Sequence, residues 1–235
     1  YLPVVLADKK DDPSSHYQDK ERISMRLYLL SRLNDTSNFY ALMDENYRSC
    51  SDLCLQYAQK LLENKDRSKA IKIAEDGIAL FPEYSSRYLR EFLSENYRET
   101  DHKKYREQLL ALFLLTWEWK YYEQLKAAVK KEEWKETLED ILVNVATKGM
   151  SRTKLIDIYL KERMFDAALE EVMGLKSIHS LRAYHGKLAN LYPRQYFAAY
   201  KELIYPYAES RLGREHYRDV VAILKNMVGI KGFES

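Results

Sequence analysis

Glycine and proline are scarce, 7 and 5 among 235 residues. Strands need more turns than that, because tight turns lean on glycine and proline for backbone angles other residues avoid. Cysteine occurs twice, at Cys50 and Cys54. Their spacing does not match the two-residue gap of a zinc knuckle, and no second Cys/His pair lies nearby to complete four ligands. The thiols read instead as small buried groups on one helix face, in a reducing, cytoplasmic setting. An excess of charge is also missing: 38 Lys and Arg against 36 Asp and Glu leave a net charge of +2, too little to imply a nucleic-acid or membrane partner by itself. No apolar run reaches the roughly 18 residues of a membrane span, and the N-terminus carries no basic-then-apolar signal pattern. A glycine-rich phosphate loop, a nucleophile elbow and a His-Glu-x-x-His pair are all lacking. The expected protein is therefore not an enzyme and has no cofactor. The first residue is Tyr1 rather than methionine, which fits a piece of something longer.

What is present is helix-forming. Ala, Leu, Glu, Lys and Arg dominate, so the expected fold is all-α. Tyrosine is unusually frequent, at 20. The clearest stretch is 57–82, YAQKLLENKDRSKAIKIAEDGIALFP. It spells a helix, a polar turn at Asn64-Lys65-Asp66, and a second helix closed by Pro82. Ala70, Ala74 and Gly77 fall on one face of that second helix, where small side chains let helices approach closely. With Ala58 and Leu61 they occupy the packing positions of a tetratricopeptide-like unit.

Residues 1–20 read as a linker or edge segment, and 21–235 as one helical repeat domain. Helices follow over about 21–34, 38–48 and 51–62, the last capped by Ser51-Asp52. Beyond the opening hairpin, Thr100-Asp101 and Ser151 cap further helices, Gly149 ends one, and Pro193 and Pro206 each open one. The total is twelve to fourteen helices, with the last over 217–228. The elbows NKDRSKAI, DHKKYREQL, KEEWKETL, ERMFDAAL and REHYRDVV align on Arg67, Tyr105, Trp134, Phe165 and Tyr217. Periods of this size fit helical hairpins that cannot bury their apolar faces alone. The expected architecture is a right-handed superhelix of about six degenerate hairpins, a tetratricopeptide-like α-α solenoid.

The succession AIKIAEDGIALFP, LREFLSENYRE, LLALFLLTWEWKYYEQLKAAV, LIDIYLKERMFDAALEEV and FAAYKELIYPYAESRLGREHYRDVVAILKNM resembles the helical region downstream of the finger in bacterial and archaeal SWIM zinc-finger proteins. Tyr200, Leu203, Arg211, Arg214, Tyr217, Arg218, Leu224 and Lys225 carry most of the likeness, which covers about 50–228. The resemblance implies a fragment of a larger zinc-finger protein. It assigns no metal ligand here, since the finger's Cys-x-Cys and Cys-x-His do not occur.

Candidate sites are weighed against plain packing. In the aromatic run 117–122, helical spacing puts Trp117 with Tyr121 and Trp119 with Tyr122. Such rings read first as core wedges between repeats, then as a partner groove, and last as a nucleobase platform. Basic clusters at 102–106, at Lys126-Lys130-Lys131-Lys135 and at 211–218 are interleaved with acids, as solvated faces are. His179 and His185 fall on different helix faces. The leading expectation is a non-catalytic scaffold that binds a protein or peptide partner, or other domains of its parent chain, through a concave face. That face would include Gln59, Leu62 and Glu63 in one repeat and Ser86, Leu89 and Arg90 in the next, with Tyr121 and Lys126 in the aromatic and basic stretch. Residues 85–135 are the favoured region. The alternative is a DNA-associated module assisting an upstream finger.

Overall fold

The computed structural model describes residues 13–147 and 151–233, with side chains from residue 21 onward. Among the described residues there are thirteen α-helices and no strand. The chain divides after Trp134 into two compact units. The first holds α1 (Pro13–Arg32), α2 (Thr36–Asn46), α3 (Ser51–Glu63), α4 (Arg67–Leu80), α5 (Arg87–Tyr97), α6 (His102–Thr116) and α7 (Trp119–Ala128). The second holds all but the first residue of α8 (Trp134–Thr147), then α9 (Arg152–Lys161), α10 (Phe165–Gly174), α11 (Ile178–Leu188), α12 (Pro193–Glu209) and α13 (Arg214–Val228). No helix is long and apolar enough to cross a membrane among the described residues.

Within the units, α3 packs on α4, α5 on α6, α6 on α7 and α9 on α10, and one elbow recurs. Asn34, Lys65 and Arg163 take left-handed angles, φ 55, 65 and 58°. The next residues, Asp35, Asp66 and Met164, have ψ of 76, 65 and 65° and start the following helix. In each elbow the amide of that second residue donates five residues back, Asp35 to Leu30, Asp66 to Leu61 and Met164 to Tyr159, at 2.8 to 3.0 Å. The left-handed residue donates three back. This closure satisfies carbonyls the helix leaves free. It uses backbone only, so the left-handed position is filled by Asn, Lys or Arg instead of glycine. Where the second residue is Asp, its carboxylate caps the new helix, accepting from the Asn38 amide at 3.2 Å and the Lys69 amide at 3.1 Å. Asp101 does the same for the Lys104 amide at 3.0 Å.

These caps correct the elbow alignment. Arg67, Trp134 and Phe165 are the first residues of their helices, whereas Tyr105 and Tyr217 are the fourth residues of α6 and α13. The register is set by the turn and cap and not by the aromatic. Counted by helix starts at 67, 102, 134 and 165, the intervals are 35, 32 and 31 residues.

Three further boundaries differ from expectation. α1 starts at Pro13 rather than near residue 21, with proline in a first position where the missing N–H costs nothing. Residues 1–12 of the expected linker, and the helix end assigned to Gly149, lie outside the described residues. Ser51 is the first residue of α3 rather than its cap, and the N-cap residue Cys50 makes no side-chain cap bond. Pro206 opens no helix: α12 runs through it to Glu209. It sits in the last turn, so its ring disturbs only one carbonyl near a helix end.

Side chains of α1 to α5, with Tyr105, form one core, in which Met43, Cys54, Tyr57, Ala58, Ala70 and Ala74 are fully buried. Side chains of α9 to α13 form another around Ile156, Ala168, Leu188, Tyr196, Tyr200 and Ile223. The small face of α4 has a definite purpose. A Cβ added at Gly77 would stand 2.5 Å from Cys54 Sγ and 2.8 Å from Leu89 Cδ1. Glycine is what lets α3 and α5 close on α4. Tyrosines recur because a ring can fill the core while its hydroxyl reaches a rim carboxylate: Tyr47 reaches Asp76 at 3.2 Å, Tyr184 reaches Asp157 at 3.3 Å and Tyr192 reaches Asp166 at 2.6 Å.

Candidate functional site

The expected contact residues do not form one surface. Gln59 and Glu63 are exposed on α3, and Glu63 is held by Lys60 at 2.7 Å. Ser86 is fully buried, its hydroxyl donating to the Glu83 carbonyl at 2.8 Å, and Leu89 is only 1% exposed. Arg90 turns toward α6, where it donates to Gln108 at 3.2 Å. Burial lowers its pKa, and its Nε is buried without a partner. Lys126 lies 5.1 Å from the Trp134 ring centre. Of the six, Tyr121 lines a groove within the favoured region 85–135.

That groove has a volume of about 290 Å3 and is lined by Glu91, Ser94, Glu95, Arg98, Tyr105, Lys120, Tyr121 and Gln124. Most of the lining comes from α5 and α7, with Tyr105 from α6. On α5 and its C-cap, positions 91, 94, 95 and 98 recur at the three- and four-residue spacing of one helix face. Leu89, Phe92, Leu93, Asn96 and Tyr97 of α5 are buried, as is Ser94 at the base of the groove, while Glu95 and Arg98 are exposed. α7 brings Lys120, Tyr121 and Gln124 alongside.

α7 can do so because the helix breaks before it. Trp117 adopts φ 58° and caps α6, its amide donating to Phe113 at 2.8 Å. The expected shared face of Trp117 and Tyr121 is thereby lost, since no continuous helix joins them. Trp117 stacks on Phe113 at 4.5 Å between ring centres, and Trp119 and Tyr122 close around the same ring at 5.6 and 5.1 Å. Phe113 and Tyr122 are fully buried, and Trp117 and Trp119 are half-buried against them. Tyr121, one residue along, is left to face α5.

The groove wall is electrostatically locked. Tyr121 donates its hydroxyl to Glu91, which also receives Arg87 Nε at 3.1 Å. Arg87 Nη2 reaches Glu118 at 2.6 Å, and Glu118 is held by Lys120 at 3.0 Å. Lys120 lies 4.5 Å from the Tyr121 ring centre. Burial first, then the bond to Glu91, raises the Tyr121 pKa. Contact with Tyr121 and then with Glu118 raises that of Lys120. Every charge of this wall is therefore satisfied at neutral pH. The next turn of each helix differs: Glu95 and Arg98 on α5 and Gln124 on α7 have no side-chain partner among the described residues. The sequence reading missed these three, although the spacing 91, 95, 98 was a visible signal.

Cys54 is buried, with its pKa pushed up to about 12 by burial first and then by Asp76, which leaves no reactive thiolate. No cluster of three or more His, Cys, Asp or Glu side chains is arranged to hold a metal ion among the described residues. Much of the basic cluster at 102–106 is internally paired, Lys104 with Glu75 at 2.6 Å and Arg106 with Glu133 at 2.9 Å. Compared with known protein families, curated proteins and solved structures, the chain finds no match.

Proposed function

We propose that the chain is a non-catalytic, tetratricopeptide-like helical-repeat scaffold that holds an extended segment of a partner protein in the groove between α5 and α7. The observation that carries this reading is the asymmetry of that groove. One end is pre-locked across both helices by the Arg87–Glu91–Tyr121 and Lys120–Glu118 contacts. At the other end Glu95 and Arg98 on α5 and Gln124 on α7 have no side-chain partner among the described residues. A rigid end reduces the ordering cost of binding, and free groups of both signs suit a backbone with mixed side chains better than an apolar helix. The DNA-associated alternative needs an unpaired basic stripe, and the internal pairing of Lys104 and Arg106 weighs against it.

The test is selection of binders from a random peptide display, followed by titration against wild type and the double variant Glu95→Arg/Arg98→Glu. Extended peptides should emerge and lose about tenfold or more in affinity on the swap. Selected peptides indifferent to the swap would defeat the groove. Duplex DNA binding that falls steeply between two salt concentrations would favour the alternative.

A further inference from the structure

We propose that the outward face of α13 is a docking site for one amphipathic helix of a partner protein, with leucine-type side chains on one edge and acidic side chains beside them. The inward face of α13 is committed, since Ile223 and Met227 are buried in the second unit's core and Val220 packs against it. The outward face carries Tyr217, Val221, Leu224 and Val228, which are 53, 49, 44 and 52% exposed. Their spacing of four, three and four residues is the seam of a helix that pairs with another helix. It extends for about 16 Å along the axis.

Beside the seam lies an open depression of about 670 Å3 lined by Arg214, Tyr217, Arg218, Val221, Ala222 and Lys225. In helix pairing, a knob from one helix enters a hole framed by four residues of the other, at i, i+3, i+4 and i+7. The lining is the union of two such frames, 214-217-218-221 and 218-221-222-225. Small Val221 and Ala222 form the floor, and longer side chains form the walls. Such a surface accepts successive side chains of one helix. A bilayer, in contrast, calls for a broad, protruding apolar face.

Charge selects the occupant. Arg214, Arg218 and Lys225 border the depression. Among the described residues Arg218 holds only the exposed Glu215, and Arg214 and Lys225 meet no carboxylate. An antiparallel pair of two α13 helices would set these cations against each other. Another exposed apolar stripe, Met25, Tyr28 and Leu29 on α1 with Leu33 just past its end, is flanked by Arg26 and Arg32, so it too repels α13. An acidic helix answers what a second copy does not.

Two synthetic peptides of about three heptads, with Leu at both core positions and either Glu or Lys at the flanking positions, test this on the full chain by fluorescence anisotropy. The Glu peptide should bind saturably, and the Lys peptide at least about tenfold more weakly. Leu224→Asp should weaken the Glu peptide by about tenfold or more, with the helical signal of the protein unchanged. Arg218→Glu/Lys225→Glu should reverse the preference, a gain that a misfolded protein cannot produce. Equal affinity for both peptides, no saturable binding, or indifference to Leu224→Asp overturns the proposal. So does sedimentation as a dimer that Leu224→Asp dissociates, or a preference for phosphatidylserine vesicles over the Glu peptide. Glu95→Arg/Arg98→Glu should leave this binding intact, which separates it from the groove of α5 and α7.

Discussion

The Tyr57 hydroxyl donates to the Asp44 carboxylate at 2.5 Å, and Lys69 stands 3.1 Å from that carboxylate and 5.2 Å from the Tyr57 ring centre. The same triad recurs at Tyr97, Glu75 and Lys104, with Lys104 2.6 Å from Glu75 and 5.2 Å from the Tyr97 ring centre. Both lysines are third residues of helices capped by aspartate, Asp66 and Asp101. One local feature, the cap, thus aims a cation at a bond joining the two preceding helices. Tyr57→Phe and Tyr97→Phe should each lower unfolding free energy by about 1.5–3 kcal/mol, the usual worth of a hydrogen bond to a charged group. Urea unfolding of both variants checks this, and a change under about 0.5 kcal/mol in each would remove the triads from the stability account.

Alkaline pH should reach the same bonds. Burial first, and then the carboxylate, push Tyr57 and Tyr97 from the ordinary 10 up to about 12, and Tyr184 and Tyr200 also reach about 12. Between pH 10 and 12 the unfolded chain sheds phenolic protons that the folded chain keeps. Stability from these groups is therefore complete below pH 10 and is lost as pH rises toward 12. Lys69 and Lys104, also raised, act in the same direction. Urea midpoints across this window should fall steadily, while phenolate absorbance of the native protein lags behind that of the urea-unfolded protein. Coincident titration curves would refute the assignment.

Gly77→Ala should destabilise the chain by about 1–3 kcal/mol, because the new methyl overpacks the contact with Cys54 and Leu89 by more than alanine's helix propensity returns. Combining it with Cys54→Ala removes the nearer obstacle. The double variant should accordingly be more stable than the sum of the single effects, by about 0.5 kcal/mol or more. Additivity within error would show that the helices separate instead.

The two cysteines should differ toward iodoacetamide. Cys54 is buried, its thiol donates to the Ile73 carbonyl at 3.2 Å, and its pKa is pushed up to about 12. Cys50 is only half-buried. Mass spectrometry of native protein should find label at Cys50 and essentially none at Cys54 until urea is added. Early labelling of Cys54 would mean that α3 and α4 open readily.

Much of the fold was legible wherever it depends on neighbours in sequence. The 64–66 elbow, the Asp101 cap and the small face at Ala70, Ala74 and Gly77 are local chemistry, and each stands where the residues placed it. The elbow at Asn34 escaped notice as a copy of the one at Lys65, because backbone hydrogen bonds close both and the side chains need not agree. The groove was legible only as a region. Choosing Ser86 and Arg90 over Glu95 and Arg98 required knowing which face of α5 meets α6, and that is decided by packing partners in space. Tyr121 and Trp117 were separated by a break at a tryptophan in the left-handed region, a conformation the residue type argues against.

The recurrent elbow also bears on how quickly the chain reaches its native state. Each closes a helix pair through contacts a few residues apart, so little loop entropy is lost before packing begins. Helical proteins ruled by local contacts fold within microseconds to milliseconds. Each hairpin here has the means to form early, leaving its docking onto the next as the slower event.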